Sequence, residues 1–189
     1  MKIHKLAAIV VVVLLSTSVA RADDDVAKKK AKIQQAATQT LGDLYKLQPS
    51  AKGAIQSAAG YAVFKNFGTN LLVVSTASGA GVATNNKSKQ QTYMKMVSAG
   101  AGLGVGVKDF RAIFVFETDK ALNDFLNSGW SGSAQTDAAA KAGTSGGAVS
   151  GAVEVAPDVY VYQITKNGLA LQLTLQGTKY YKDDDLNKP

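Results

Sequence analysis

Cysteine is absent from the 189 residues, and histidine occurs once, at His4. Without cysteine there is no disulfide, no lipoprotein anchor and no thiolate for catalysis or metal binding. A lone histidine in the first five residues leaves no Ser-His-Asp or Cys-His arrangement and no histidine-based zinc or copper site. Long apolar runs are missing too. The longest, Leu6 to Leu15, is ten residues, and a bilayer span takes about 20. Aromatic residues make up only 7%. A transmembrane β-barrel needs strands of about 9–11 residues with aromatic girdles; most strands read here are shorter, helical stretches interrupt them, and the chain finishes on Asn-Lys-Pro.

What is present begins with an export pattern. Lys2, His4 and Lys5 precede the apolar run, and Ser16-Thr17-Ser18-Val19 leads to Ala20-Arg21-Ala22. A basic start, a short apolar core and a small-x-small site describe a secretory signal peptide over residues 1–22. Cleavage is expected after Ala22, with Ala20 as the alternative. The mature chain is then exported, periplasmic or secreted, and at most peripheral to a membrane. Three of the 21 basic residues leave with residues 1–22, so 18 face 14 acidic ones, a net charge of +4. That charge mildly favours anionic surfaces and does not point to nucleic acid.

The most regular stretch is Met96 to Val107, in which Gly100, Gly102, Gly104 and Gly106 alternate with Ala101, Leu103, Val105 and Val107. A two-residue period is that of a β-strand, here apolar on one face and bare on the other. Four glycines in register weaken a strand unless something lies close against the bare face. The dinucleotide pattern G-x-G-x-x-G fails in every register, because Val105, Val107 and Asp109 occupy the third glycine's place. A helix of the same chain is the expected cover, with an acyl chain as the alternative.

Around this ladder the chain reads as α+β. Ile33, Ala37, Leu41 and Leu44 recur at helical spacing and predict an amphipathic helix over about 25–46 within an N-terminal segment 23–48. A domain over 49–189 follows. In it Ser50 is placed to cap a short helix over Ala51 to Ala59, ended by Gly60. Strands are expected at Tyr61–Phe64, Leu71–Ser75, Gly79–Thr84 and Thr92–Val97, with a turn over Asn85–Lys89. Arg111–Phe116 is apolar on both faces and reads as a central strand. Thr118 caps a helix through Leu126, and Ser133–Lys141 is alanine-rich enough for another turn or two. Val159–Ile164 and Leu169–Leu175 pair through the Asn167-Gly168 hairpin signal. The fold expected is therefore N-terminal helices followed by a strongly curved, mostly antiparallel, glycine-rich sheet with one or two inserted helices.

The order of these pieces resembles the SYLF lipid-binding domain family. The resemblance rests on Ala51-Lys52-Gly53, Gly60-Tyr61-Ala62-Val63-Phe64, Gly79-Ala80-Gly81-Val82, the ladder, Phe114, the Ala121–Phe125 helix, Tyr160-x-Tyr162, Lys166-x-Gly168-Leu169 and Gly177. It covers roughly residues 40–187. The chain departs from the pattern at Lys65, where many relatives have proline, and in lacking a Gly-Pro pair within Ser131–Gly147. The resemblance implies phospholipid binding, with phosphoinositides and actin filaments bound by eukaryotic members. An exported protein does not meet those two ligands, so only contact with anionic lipid carries over.

Three functions follow. The first is peripheral binding of anionic phospholipid, through Lys28, Lys29, Lys30 and Lys32 on the first helix and Lys108 and Arg111 beside the ladder. The plainer readings are a solvated helix face for the four lysines and a strand-end pairing with Asp109 for Lys108 and Arg111. Ile33, Leu41 and Leu44 cannot both bury in the domain and insert in lipid, which limits the lipid reading. The second is a structural or protein–protein interaction module, for which Tyr160, Tyr162, Phe114 and Phe116 are better placed as core than as a platform. The third is an enzyme, but Asp109, Glu117, Asp119 and Asp124 lack a spacing that demands acid–base work. A non-catalytic binder with no metal and no cofactor is the expectation.

Overall fold

A computed structural model describes residues 6–66, 76–99, 111–132, 149–170 and 177–188. The glycine ladder with Lys108 and Asp109, the expected strand Leu71–Ser75, the alanine-rich Ser133–Lys141 and the end of the last hairpin at Leu171–Leu175 lie outside the described residues. The chain divides into two compact units, Met1–Lys32 and Ile33–Pro189.

The first helix, α1, runs from Leu6 to Leu47. It begins far earlier than the expected 25, because no Gly or Pro interrupts residues 6–41 and the apolar run is itself composed of residues a helix accepts. The portion from Ile33 onward belongs to the second unit. There Ile33, Ala36, Ala37, Thr40 and Leu44 are buried, within an arc of about 100° that makes one stripe.

α2, Ala51–Ser57, is shorter than expected and is not capped by the Ser50 side chain. The Ser50 backbone is already helical, and its hydroxyl accepts from Gln48 Nε2 at 2.8 Å instead. Gly60 does not end this helix but starts the sheet. A Cβ there would lie 2.6 Å from the Thr84 carbonyl and 2.8 Å from Leu122, so close approach of the chain requires glycine.

The strands are β1 (Gly60–Asn66), β2 (Thr76–Asn85), β3 (Gln91–Ala99), β4 (Arg111–Phe116), β5 (Trp130–Ser131), β6 (Val153–Ala156), β7 (Val159–Thr165), β8 (Gly168–Ala170) and β9 (Thr178–Lys182), with α3 at Asp119–Ser128. They form one strongly curved sheet, ordered β5-β9-β3-β2-β1-β4-β7-β6, in which β8 also pairs with β7. Every pairing among the described strands is antiparallel. The expected fold class is the observed one, and β4 is central, flanked by β1 and β7.

Alternation along the strands gives the sheet two different faces. One carries Ala62, Phe64, Ala112, Phe114, Phe116, Met94, Met96, Val159, Val161 and Tyr180, closed over by Leu122 and Phe125 of α3. Thr118 sets this helix, accepting from the Ala121 amide, and Gly129 at φ 72° ends it. The other face carries the intervening residues Val63, Ile113, Val115 and Tyr162, all buried. Side-chain ties show that the α1 stripe from Ile33 to Leu44 covers this second face. Gln34 Nε2 donates to the Tyr93 hydroxyl at 2.9 Å and to Gln91 at 2.7 Å, and Arg111 reaches Asp43.

In β2 the glycines of the motif Gly79-Ala80-Gly81 show what covers a bare strand face here. A Cβ at Gly79 would stand 2.8 Å from Met96 Cε and 2.6 Å from the Lys65 carbonyl, and one at Gly81 would strike the Phe64 ring. Large side chains of the two neighbouring strands fold over the missing ones.

Candidate functional site

At 100° per residue along α1, Lys28, Lys29 and Lys32 fall within an arc of about 100°, while Lys30 points to the opposite side. Lys28, Lys29 and Lys32 are exposed and Lys30 is half-buried. Asp25 falls in the same exposed arc and Asp24 about 40° beyond its edge, and Lys28 pairs with Asp24 at 2.5 Å across solvent. Three lysines and two aspartates leave this surface weakly positive. An exposed i,i+4 pair of this kind contributes only about 0.3–0.5 kcal/mol, so Lys28 is readily released to another anion.

Arg111 sits in the second unit, at the start of β4. Its Nη1 donates to Asp43 Oδ2 at 2.5 Å; the arginine is 18% exposed and the aspartate 45%. The strand-end pairing with Asp109 falls outside the described residues, and the partner seen is 68 positions away in sequence. Directly opposite Arg111 on β1 is Lys65, on the same sheet face. Two cations facing each other across a ladder repel, and Asp43 offsets one of them. Lys65 has no carboxylate in salt-bridge range among the described residues. The sequence offered one signal for this position, the lysine that stands where relatives have proline.

The same row continues across the sheet. Lys65 pairs with Ala80, Ala80 with Lys95, and Lys95 with Tyr181. Lys95 is held by Asp183 at 2.9 Å and Asp185 at 3.7 Å. The hydrogen bond to Asp183 leads the effects that push the Lys95 pKa up. Nothing local in the sequence joins Lys65, Lys95 and Arg111; only the strand register does.

A cleft of about 400 Å³ lies between α3 and the β6–β7 turn, lined by Ala121, Phe125, Trp130, Pro157 and Val159 with Lys120, Asp124 and Asp158 at its rim. Lys120 and Asp124 pair with each other at 2.6 Å, and Asp158 accepts from Thr118 at 3.1 Å. The carboxylates considered for acid–base work therefore separate: Asp119 stands in the first turn of α3, Asp124 on its exposed side and Glu117 before it. No group of three potential metal ligands occurs among the described residues. No described helix is long and apolar enough to cross a membrane, a statement that leaves strands aside.

Phe114, Phe116 and Tyr162 are fully buried and belong to the core, while Tyr160 is half-buried. Burial pushes the Tyr162 phenol up to about 12 and raises that of Tyr180 further. The Tyr162 hydroxyl donates to the Ser150 carbonyl at 3.2 Å, whereas the buried Tyr180 hydroxyl has no partner among the described residues.

With this geometry in view, residues 97–189 match the family model described as Ysc84, Las17-binding protein actin regulator. The chain is also 35% identical over 167 residues to Beta cell expansion factor A of Aeromonas veronii, a match covering 85% of this chain and 61% of that protein. It thus spans about three fifths of the relative's length. The matched family is one of lipid- or actin-binding domains, not a known family of enzymes. The chain belongs to the Ysc84, or SYLF, family, as its ordered motifs imply.

Proposed function

We propose that this protein is an exported, non-catalytic, peripheral binder of anionic phospholipid at the cell envelope. The observation that carries the reading is the division of labour along α1. Its apolar stripe from Ile33 to Leu44 is spent on the sheet, while Lys28, Lys29 and Lys32 remain exposed. Contact with lipid is then electrostatic rather than insertive. Each lysine near an anionic surface contributes about 1 kcal/mol, so attachment is weak, reversible and salt-sensitive. The basic start, short apolar run and Ala20-Arg21-Ala22 site support export. Membership of a lipid- or actin-binding family supports the ligand class.

Co-sedimentation of the chain beginning at Asp23 with phosphatidylglycerol vesicles tests the ligand. Binding should exceed that to phosphatidylcholine and weaken steeply between about 0.05 and 0.5 M salt. Equal recovery with both lipids, or no salt dependence, overturns the reading in favour of a protein–protein module. The mass of the protein recovered from the periplasm or medium tests export: a chain still starting at Met1 counts against it.

A further inference from the structure

Among the described residues, α1 does not cover its face of the sheet completely. Beyond the α1 flank that carries Asp43, strands β2, β3 and β9 present Ser78, Ala80, Lys95, Val97, Lys179 and Tyr181 on one face. Lys65 of β1 extends the Ala80–Lys95–Tyr181 row, and Ser78–Val97–Lys179 forms the next. Adjacent strands lie about 4.8 Å apart, so Lys65 and Lys95 stand roughly 10 Å apart with Ala80 between them. Small side chains on β2 make the floor of a shallow trough, and lysines make its walls.

We propose that this corner is a second contact for an anionic phospholipid surface, separate from the α1 lysines. The inference rests on the lipid-binding reading above and adds a site on the sheet that the helix does not supply. Charge complementarity selects the occupant. Lys95 is held by Asp183 and Asp185, and Arg111 by Asp43, but neither Lys65 nor Lys179 has a carboxylate in range among the described residues. Beside Lys179, on β3, lies Val97, 38% exposed and one of two large apolar side chains so exposed among the described residues. Lys65 and Lys179 stand three strands and one row apart, roughly 16 Å, so each meets a phosphodiester of its own while Val97 meets the glycerol and first methylenes. A free phosphate would satisfy the lysines and leave Val97 in water. The bilayer surface offers both chemistries at once.

The test compares four chains on phosphatidylglycerol and phosphatidylcholine vesicles: the unaltered one, Lys65→Glu/Lys179→Glu, Lys28→Glu/Lys29→Glu/Lys32→Glu, and Val97→Ser. Reversing Lys65 and Lys179 should lower partitioning onto phosphatidylglycerol by roughly tenfold or more and leave the weak phosphatidylcholine binding unchanged. Val97→Ser should cost a few-fold, and that loss should persist at high salt because it is apolar. Trp130 packs on Phe114 and Tyr180, so its fluorescence reports whether each variant keeps its fold. If the reversal disturbs it, Lys65→Gln/Lys179→Gln asks the same question with a smaller loss. Unchanged binding by the folded sheet variants, with loss in the helix variant, overturns the second contact and leaves the lipid reading standing. Absence of phosphatidylglycerol binding by the unaltered chain overturns both.

Discussion

The two faces of the sheet are built from alternate residues of the same strands, yet they are closed by different means. On one, Phe64, Phe114, Phe116, Phe125, Trp130 and Tyr180 interlock at centroid separations of 4.7 to 6.3 Å, most of them edge-on or tilted. α3 closes that cluster with Leu122 and Phe125. On the other face the buried side chains are mostly aliphatic, with Tyr93 and Tyr162 as separate rings, and residues 33–47 of a single helix lie over them, tied at the margins by Gln34 and Asp43. Rings exclude water through area and edge-to-face geometry. Among the described residues a lone helix roofs only part of that face. Stability is concentrated where the rings are, and the surface left over for a partner is on the opposite side.

The hardest way to break this contrast is to delete one ring. Phe114 touches five of the others' positions in the cluster and is fully buried. Phe114→Ala should cost about 3–5 kcal/mol and lower Tm by roughly 10 °C. Its neighbour Val115, equally buried but facing the helix, should cost only about 2 kcal/mol as Val115→Ala. Urea unfolding of the two variants decides the matter. Equal losses would show that the helix-covered face carries as much stability as the aromatic one.

How much of this was readable in advance depended on the distance over which each signal acts. The cap at Thr118, the Asn167-Gly168 turn with Gly168 at φ 104°, and the doubly apolar run of β4 are local, and each is found where expected. The tight packing expected of glycine strands is realised at Gly79 and Gly81, although the covering groups come from adjacent strands of the sheet. For Gly100, Gly102, Gly104 and Gly106 the question stays with the sequence, since they lie outside the described residues. Ser50 misled because a good cap residue caps only when its backbone leaves the helical region, and here it does not. The Arg111–Asp43 pair and the Lys65–Ala80–Lys95 row were invisible. Both depend on register between segments far apart in the chain, and register has no local signature.

A smaller effect sharpens the account of the helix-covered face. Asp43→Ala and Arg111→Ala remove the same ion pair, but they leave different residues behind. Without Arg111, the half-exposed Asp43 rehydrates, and the loss should be about 1–2 kcal/mol. Without Asp43, a mostly buried Arg111 faces Lys65 with no counter-charge among the described residues, and the loss should be larger, about 2–3 kcal/mol. Added salt should narrow the gap by screening that repulsion. If Arg111→Ala proves the more damaging change, the pair acts through packing of the arginine stem and not through charge.

The smallest effect has the opposite sign and belongs to the aromatic face. Tyr180 is wholly buried and its hydroxyl has no hydrogen-bond partner among the described residues, a state that costs about 1–3 kcal/mol. Tyr180→Phe keeps the ring and its contacts with Phe64, Phe114 and Trp130 while deleting the unsatisfied oxygen. Stability at neutral pH should therefore rise by about 1 kcal/mol. The two proteins should diverge further in alkali. Burial raises the folded-state pKa of Tyr180 above its usual 10.0, so this phenol's share of stability is fully present below pH 10 and is lost as pH rises above it. The slope is about 1.4 kcal/mol per pH unit for each phenol that ionises only when unfolded. Tyr162, pushed up to about 12, retains that slope in both proteins; Tyr180 contributes it only in the unaltered one. Urea midpoints measured between pH 7 and 11 should start higher in Tyr180→Phe and fall less steeply. A variant less stable than the original at pH 7 would mean that the hydroxyl finds a partner in solution, and that the aromatic face is less dry than its packing indicates.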